Sequence, residues 1–377
     1  MLAHRGFAIA YRSKPMSQFI PWHLKYRPQV LRDLYGQEIV QKSLSNLISS
    51  GRMPHALLFS GPRGTGKTST ARIVAKSLNC KDGPTLSPCG ECPACRAIEL
   101  GNSFDVIEID AASNNGVDQI RELIASSMLS PIQGSFRTFV LDEVHMLTTQ
   151  AQNAFLKTLE EPAPNTLFVL ATTEEHRLLD TITSRCLHLR FKPMSTGDIE
   201  ASLTDIARHE GISLEEDVLR AIAANSRGGM RDAIQLLYQL STTRAEGKPV
   251  GIAQVYEALG DLSPQQLHLI AQAIAGKDAY KVVAYAQKIR ERNMEIYRCF
   301  ESLLALWGDL MALKLGCSSD KYQGNSSLRG EELAALSTHF ELEYLKQSLH
   351  YLEDAERRMA TSHNSSLWFL TTLLALL

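Results

Sequence analysis

The sequence has little net charge, no long apolar run and no cysteine pattern typical of a secreted disulfide protein. Its 39 Lys and Arg residues nearly balance 41 Asp and Glu residues, which leaves a formal net charge of −2. A chain-wide attraction for nucleic acid is therefore excluded, and any DNA contact must come from a local patch. No apolar run reaches the roughly 18–20 residues that a membrane-spanning helix needs, so no membrane partner is expected.

What remains is the composition of an ordinary globular protein. A length of 377 residues with 44% apolar and 21% charged residues predicts two or three domains, each able to bury a core. Residues 1–18 are basic and contain no acid, and we expect a disordered extension there, either a start-site artefact or a transit peptide. The apolar C-terminal stretch ends without a helix cap, so a natural short form and a truncated chain both remain open.

Four of the seven cysteines cluster at Cys80, Cys89, Cys92 and Cys95. Prolines and a glycine between them favour a tight knuckle, and four thiolates are the usual ligand set of a structural Zn²⁺ site. The spacing predicts a zinc module over residues 80–95. Reduced thiols, a redox switch and iron–sulfur ligation are the alternatives, the last disfavoured because nothing else indicates electron transfer.

The strongest motif is the stretch Gly61-Pro62-Arg63-Gly64-Thr65-Gly66-Lys67-Thr68, which fits the phosphate-binding loop G-x-x-x-x-G-K-[ST]. An apolar strand-like run precedes it, and a helical run from Ser69 to Leu78 follows. In that context backbone amides and the helix N-terminus bind phosphate oxygens. Lys67 is then expected to reach the β- and γ-phosphates of ATP, and the Thr68 hydroxyl to hold Mg²⁺.

A second motif supplies acidic residues. The buried strand-like run Phe136–Leu141 ends in Asp142-Glu143-Val144-His145. A carboxylate at the end of a strand is well placed for Mg²⁺, which assigns Asp142 as a metal ligand beside Thr68. Glu143 is the candidate base for the attacking water. We interpret His145 as structural.

Strand-like runs at 57–59, 106–109, 138–141 and 167–170 alternate with helical stretches, which predicts an α/β fold with a parallel sheet and helices on both faces. After Pro193 the pattern becomes one of short amphipathic helices, and from about Val250 it is helical throughout. A Ser-, Gly- and Asn-rich stretch at 318–327 predicts a loop. Thr172 and Thr173 follow the fourth run and could contact the γ-phosphate.

Together with Ser184-Arg185-Cys186 and Gly228-Gly229-Met230-Arg231, these motifs resemble those of AAA+ ATPases. The Ser-Arg-Cys triplet and the inserted cysteine knuckle narrow the resemblance to the bacterial DNA polymerase III clamp-loader gamma/tau family. The resemblance implies an AAA+ domain at 19–193, a helical lid domain at 194–248 and a helical collar for oligomerisation at 249–377.

The resemblance also implies roles for single residues. Arg185 would be an arginine finger that acts on a neighbouring subunit, Thr173 would be sensor 1, and Arg231 would be sensor 2. Without the family, Arg185 and Arg231 would pass for ordinary surface and helix-start arginines. The remaining implied nucleotide contacts are Tyr26, Arg27, Pro28, Gly61, Gly64, Thr65, Gly66 and Ser69.

For DNA, the resemblance implies contacts from Asn114, Arg121 and Lys157, although the loop at Asn114 lacks the basic residues that some members have there. A solvated helix charge is an equally good interpretation of Arg121 and Lys157. The implied partners are delta- and delta-prime-like clamp-loader subunits, copies of this chain, a ring-shaped sliding clamp and primer-template DNA. The implied location is the cytoplasm, at the nucleoid.

The function expected on these grounds is that of an ATPase motor subunit that loads the clamp, with no polymerase chemistry of its own. One alternative is a non-catalytic delta-prime-like scaffold, which the intact Lys67, Thr68, Asp142 and Glu143 disfavour. Another is a different AAA+ DNA-processing ATPase, such as a branch-migration motor, which the cysteine knuckle and the Ser-Arg-Cys triplet disfavour.

Overall fold

The computed structural model describes residues 20–243, 248–317, 326–328, 330–360, 362 and 364–377. The predicted N-terminal extension and most of the predicted loop at 318–327 lie outside these residues. The chain divides into two compact units, described here one at a time. The first contains residues up to Ile212 and Leu219–Tyr238, and the second contains Ser213–Val218 and Gln239–Leu377.

The first unit is built on a five-stranded parallel sheet with the strand order β2-β3-β4-β1-β5. The strands are β1 Ala56–Ser60, β2 Val106–Asp110, β3 Arg137–Asp142, β4 Thr166–Thr172 and β5 Leu187–Arg190. Its helices are α1 Trp22–Lys25, α2 Glu38–Ser50, α3 Lys67–Asn79, α4 Pro93–Leu100, α5 Val117–Ser127, α6 Thr149–Glu160, α7 Asp180–Thr183 and α8 Thr196–His209. Most of α9 Val218–Asn225 and α10 Met230–Thr243 also belongs to it.

Successive side chains along a strand point to opposite faces of the sheet, and helices cover both faces. Leu57 and Phe59 of β1 pack into one apolar cluster with residues of α2 and α3, whereas Ala56 and Leu58 pack into the other with residues of α5 and α6. Sheets of this type bury both faces, so their strands are nearly continuous apolar runs. The α/β class with a parallel sheet and four of its strands is thus confirmed. The short strand β5 was not predicted.

The second unit is helical, as predicted. Its helices are α11 Ile252–Leu259, α12 Pro264–Ala275, α13 Ala279–Glu291, α14 Ile296–Lys314, α15 Gly330–Ser337, α16 Leu342–Ala360 and α17 Ser365–Ala375. Helices α12 to α17 share one apolar core around the fully buried Trp307. No helix among the described residues is long and apolar enough to cross a membrane. The domain boundaries at 193/194 and 248/249 stay predictions.

Candidate functional site

The strand register brings the predicted nucleotide motifs to one edge of the sheet. Ser60 at the end of β1 pairs with Thr172 at the end of β4, and Leu141 of β3 pairs with Leu170 of β4. The phosphate loop, the acidic pair and Thr173 therefore leave neighbouring parallel strands at their carboxyl ends. Ligands in open α/β sheets bind at this edge.

The phosphate loop begins directly after β1, and Gly66 is the left-handed residue that precedes α3. Lys67 is the first residue of α3 and is only 6% exposed. Its Nζ donates hydrogen bonds to the carbonyl oxygens of Gly61 at 2.7 Å and Pro62 at 2.8 Å. Burial lowers the pKa of Lys67, although the carboxylates of Glu143 and Asp142 act in the opposite direction. The ammonium thus lies inside the loop that is to hold phosphates.

A contact between two motifs marks the candidate Mg²⁺ position. The Thr68 hydroxyl donates to Oδ2 of Asp142 at 2.7 Å, so the hydroxyl and carboxylate oxygens predicted to hold the ion are side by side. Oxygen ligands of this kind, completed by water and phosphate, are what Mg²⁺ takes in nucleotide sites. The donor set fits Mg²⁺, which neutralises phosphate charge when bound.

Glu143 has its backbone in the left-handed region, with φ 48°. One of its carboxylate oxygens, Oε2, accepts hydrogen bonds from the Thr173 hydroxyl at 3.0 Å and from the Thr173 amide at 3.3 Å. The candidate base and the candidate sensor 1 are therefore in direct contact, from the ends of β3 and β4.

A cleft of about 850 Å³ opens beside these groups in the first unit. The predicted site residues that line it are Tyr26, Arg27, Pro28, Gly64, Gly66, Lys67, Thr68, Ser69, Asp142, Glu143 and Arg231. Gly61, Thr65 and Thr173 lie next to residues that line it. The Thr65 hydroxyl, for example, is fully buried and donates to the Pro62 carbonyl at 2.8 Å.

Tyr26 and His209, the last residue of α8, also line the cleft. The Tyr26 hydroxyl lies 2.8 Å from Nδ1 of His209 and donates a short hydrogen bond to Glu210, which also pairs with Lys25 at 2.6 Å. The hydrogen bond from Lys25 lowers the pKa of Glu210 most strongly, whereas burial raises the pKa of Tyr26. Sequence reasoning missed His209 and Glu210, because no local signal joins residues more than 180 positions apart.

Arg231 enters the cleft from the start of α10. The residue before it contacts the phosphate loop, because the Met230 amide donates a hydrogen bond to the Gly64 carbonyl at 3.1 Å. A Cβ atom on Gly64 would lie 3.1 Å from the Cα of Gly229, and its φ of +78° also disfavours any other residue. Burial and, after it, the charge of Arg72 lower the pKa of Arg27. The charge of Arg231 acts in the same direction.

Arg185 lies elsewhere in the first unit and is not among the described residues that line the cleft. It follows α7, and its guanidinium donates to Glu160 through Nε at 2.9 Å and to the Thr181 carbonyl at 2.7 Å. A second guanidinium nitrogen also contacts Glu160. The side chain is thus held in place at the surface, apart from the site of its own chain.

The three residues predicted to contact DNA differ in their side-chain contacts. Lys157 on α6 is exposed. Arg121 on α5 is exposed but pairs with Asp118 at 2.9 Å. The Asn114 side chain donates to the Asp110 carbonyl at 3.1 Å. Contact of these three residues with DNA stays a prediction.

The four cysteines of the predicted knuckle converge. Their Sγ atoms all lie within 4.8 Å of one another. Four sulfurs around Zn²⁺ at about 2.3 Å would be about 3.8 Å apart, so the cluster fits a tetrahedral metal site. Amides of the knuckle point at the sulfurs, as in the contact from Cys95 N to Cys92 Sγ at 3.4 Å. Burial raises the pKa of Cys92, but hydrogen bonds from the amides of Cys95 and Lys81 and from the thiols of Cys95 and Cys89 outweigh it and lower that pKa to about 6.

Local structure explains the convergence. Cys80 is the C-cap of α3, and Cys92 is the N-cap of α4, whose first residue is Pro93. Gly90 takes φ +72° with open space around it, which lets the chain turn between the two pairs of cysteines. A four-cysteine cluster whose geometry fits a metal ion thus lies at the end of α3, the helix that begins at the phosphate loop.

Two sequence profiles match parts of the chain. The profile described as "DNA polymerase III, delta subunit" matches residues 36–195, and the profile described as "DNA polymerase III clamp loader subunit, ATPase lid domain" matches residues 198–240. A solved structure of the RuvB branch migration motor from Thermotoga maritima covers 71% of this chain and 85% of its own, with a TM-score of 0.48 and 20% identity.

Curated relatives are much closer. DNA polymerase III subunit tau of Bacillus subtilis is 39% identical over 292 residues, 77% of this chain and 51% of its own. The tau subunit of Escherichia coli is 38% identical over 86% of this chain and 50% of its own. The gamma subunit of Buchnera aphidicola from Acyrthosiphon pisum is 42% identical over 72% of this chain and 74% of its own.

The matches thus span about half the length of the tau subunits and about three quarters of the gamma subunit. The chain belongs to the gamma/tau family of DNA polymerase III clamp-loader subunits.

Proposed function

We propose that this chain is an ATP-hydrolysing motor subunit of a clamp loader, which places a ring-shaped sliding clamp on primed DNA during replication. The observation that carries the proposal is the meeting of Lys67, Thr68, Asp142 and Glu143 at the carboxyl edge of adjacent strands. Thr68 and Asp142 are 2.7 Å apart, and Thr173 holds Glu143 at 3.0 Å. A scaffold that only binds partners has no need of this arrangement.

Each group has a role in the proposed reaction. Lys67 and the loop amides bind the phosphates, Thr68 and Asp142 hold Mg²⁺, and Glu143 accepts a proton from the attacking water. Tyr26, Arg27 and Pro28 bind the adenine end, and Arg231 senses the nucleotide. In a spiral of subunits, Arg185 reaches the γ-phosphate of a neighbour, an effect that can be worth roughly 10³–10⁵ in rate.

The finer assignments belong to the same proposal. The cysteine cluster holds Zn²⁺ and stabilises the end of α3. The partners are delta- and delta-prime-like subunits, further copies of this chain, the clamp and primer-template DNA, which Asn114, Arg121 and Lys157 contact. The protein works in the cytoplasm at the nucleoid, and it belongs to a polymerase holoenzyme without polymerising DNA itself.

A delta-prime-like scaffold is the second candidate, because one profile that matches residues 36–195 is described as a delta subunit. The intact Lys67 and Glu143 argue against it. The two candidates differ in whether this chain turns over ATP.

The test is ATP turnover by this chain assembled with candidate partner subunits, with and without clamp and primed DNA. We expect stimulation that Lys67→Ala and Arg185→Ala each abolish, while Arg52→Ala, a change at an exposed arginine, has no effect. Mixing Lys67→Ala with Arg185→Ala chains should restore part of the rate, because one supplies fingers and the other intact sites. A negligible rate in every mixture of wild-type chains favours the scaffold.

A further inference from the structure

His145 follows the candidate base in the chain and occupies a buried position. It lies in the 3-10 turn Val144–Met146, which begins directly after the left-handed residue Glu143. The residue is only 7% exposed. Sequence reasoning treated it as structural, and its contacts indicate more than packing.

The two ring nitrogens of His145 face two carboxylates. Nδ1 is 3.4 Å from Oε2 of Glu143 and 3.0 Å from the Thr172 hydroxyl, and Nε2 is 3.4 Å from Oε1 of Glu174. The Glu174 amide in turn donates to the Thr172 hydroxyl at 3.0 Å. The ring therefore spans the ends of β3 and β4, where both nucleotide-contacting segments leave the sheet.

Among the described residues, the close polar contacts to the Glu143 carboxylate all fall on one oxygen. Oε2 accepts hydrogen bonds from the Thr173 hydroxyl and the Thr173 amide. The Nδ1 edge of the His145 ring, which is hydrogen-bonded to the Thr172 hydroxyl, lies 3.4 Å from the same oxygen. Oε1 has no hydrogen bond to any residue in the described part of the chain, and Glu143 lines the cleft. One oxygen is thus anchored from two sides, and the other is left for water in the cleft.

We propose that His145 is a positioning residue for Glu143: Nδ1 and Thr173 together fix Oε2, and Glu174 holds the opposite edge of the ring. This inference rests on the proposed ATPase function, because it assigns a role in that reaction. A carboxylate anchored on one side only rotates about its terminal torsion, and displacement of a reacting group by about 1 Å can cost roughly 10²-fold in rate.

Two amide substitutions separate the two edges of the ring. The side-chain nitrogen of asparagine can occupy the place of Nδ1, whereas that of glutamine reaches the place of Nε2. We expect His145→Ala and His145→Gln to lower ATP turnover by about 10- to 100-fold. His145→Asn should keep turnover within about fivefold of wild type. ATP affinity, measured with a fluorescent nucleotide, should change less than about twofold in all three.

The decisive comparison is the ATP turnover of the Glu143→Gln variant with that of the Glu143→Gln, His145→Ala double variant. In a Glu143→Gln chain, His145→Ala should cause no further loss of turnover, because a residue that acts through Glu143 has nothing left to position. Thermal unfolding of each variant separates loss of fold from loss of orientation. Gln152→Leu serves as the matched control: Gln152 is buried and bonds the backbones of Leu147 and Leu179, so it should lower stability without changing turnover of the folded protein.

The outcomes are distinct. If wild type hydrolyses ATP and His145→Ala does so within twofold of it, the positioning role is overturned and the ATPase proposal stands. The role is equally overturned if ATP affinity falls as much as turnover, or if the losses from His145→Ala and Glu143→Gln multiply. A wild-type assembly that hydrolyses no ATP overturns both proposals.

Discussion

At the scale of single residues, the space around the backbone of the phosphate loop determines whether a side chain can replace a glycine there. Gly61 has φ +142°, and a Cβ atom added there would lie 2.2 Å from the carbonyl oxygen of Phe191. That oxygen belongs to backbone rather than to a flexible side chain, so the clash cannot be relieved by a rotamer change. The same residue also offers its own carbonyl to Lys67.

The prediction from this clash is that Gly61→Ala destabilises the protein by about 3 kcal/mol or more and abolishes nucleotide binding, since the loop must move. Gly51→Ala is the matched control, because Gly51 also has a positive φ, +66°, but nothing lies within 4 Å of its Cβ position. It should cost only about 1 kcal/mol. Urea unfolding compares the two. Equal losses of free energy of unfolding would show that the Phe191 carbonyl yields.

At the scale of elements, the features that could be predicted are those formed by consecutive residues. Contacts between residues far apart in the chain could not be predicted. Strands β1 to β4 were predictable because each is an apolar run, and the phosphate loop was predictable because its glycines and lysine are consecutive. Strand β5 has only four residues with His and Arg among them, so it gave no such pattern. The contact of Tyr26 with Glu210 and that of His145 with Glu174 depend on the assembled fold.

Strand β5 is nevertheless joined to the phosphate loop by a polar network. The Ser60 hydroxyl, at the end of β1, lies 2.7 Å from Nε2 of His188. The same nitrogen is 3.0 Å from Glu175, which also pairs with Arg190 at 3.0 Å. His188 thereby connects three segments: β1 before the loop, β5 and the turn that follows Thr173.

This network predicts a pH dependence of stability. Burial lowers the pKa of His188 from its ordinary value of 6.5, with Arg190 acting in the same direction and Glu175 against it. Since the unfolded chain then binds more protons, the free energy of unfolding falls as pH decreases through 6.5 towards the folded pKa. The lowered pKa of Glu175 extends the loss to more acidic pH, below its ordinary value of 4.5.

We expect His188→Asn to flatten this slope between pH 7.5 and 5.5, as measured by urea unfolding at constant ionic strength. His176→Asn is the matched control, since that side chain is 75% exposed. An unchanged slope in His188→Asn would mean that other groups, such as His23, whose pKa is also lowered by burial, account for the acid sensitivity.

At the scale of the whole molecule, each unit has a core of its own. The apolar clusters of the first unit lie on the two faces of the sheet, and the cluster around Trp307 belongs to the second unit alone. The four clustered cysteines belong to the first unit, at the junction of α3 and α4. Binding of a structural metal contributes to folding free energy, so its loss should be felt where the ligands are.

The prediction is that Cys92→Ser removes one bound metal ion and loosens the first unit only. Amide exchange should show protection falling at least ~10-fold in α4 and the last turn of α3, while α14 around the buried Trp307 keeps its protection. Cys317→Ser, a change at an exposed cysteine outside the cluster, is the control and should keep both metal and protection. Metal analysis by mass spectrometry would identify zinc. Parallel loss of protection in α14 would instead mean that the two units unfold as one cooperative body, and unchanged protection in α4 would mean that the thiols hold the knuckle without metal.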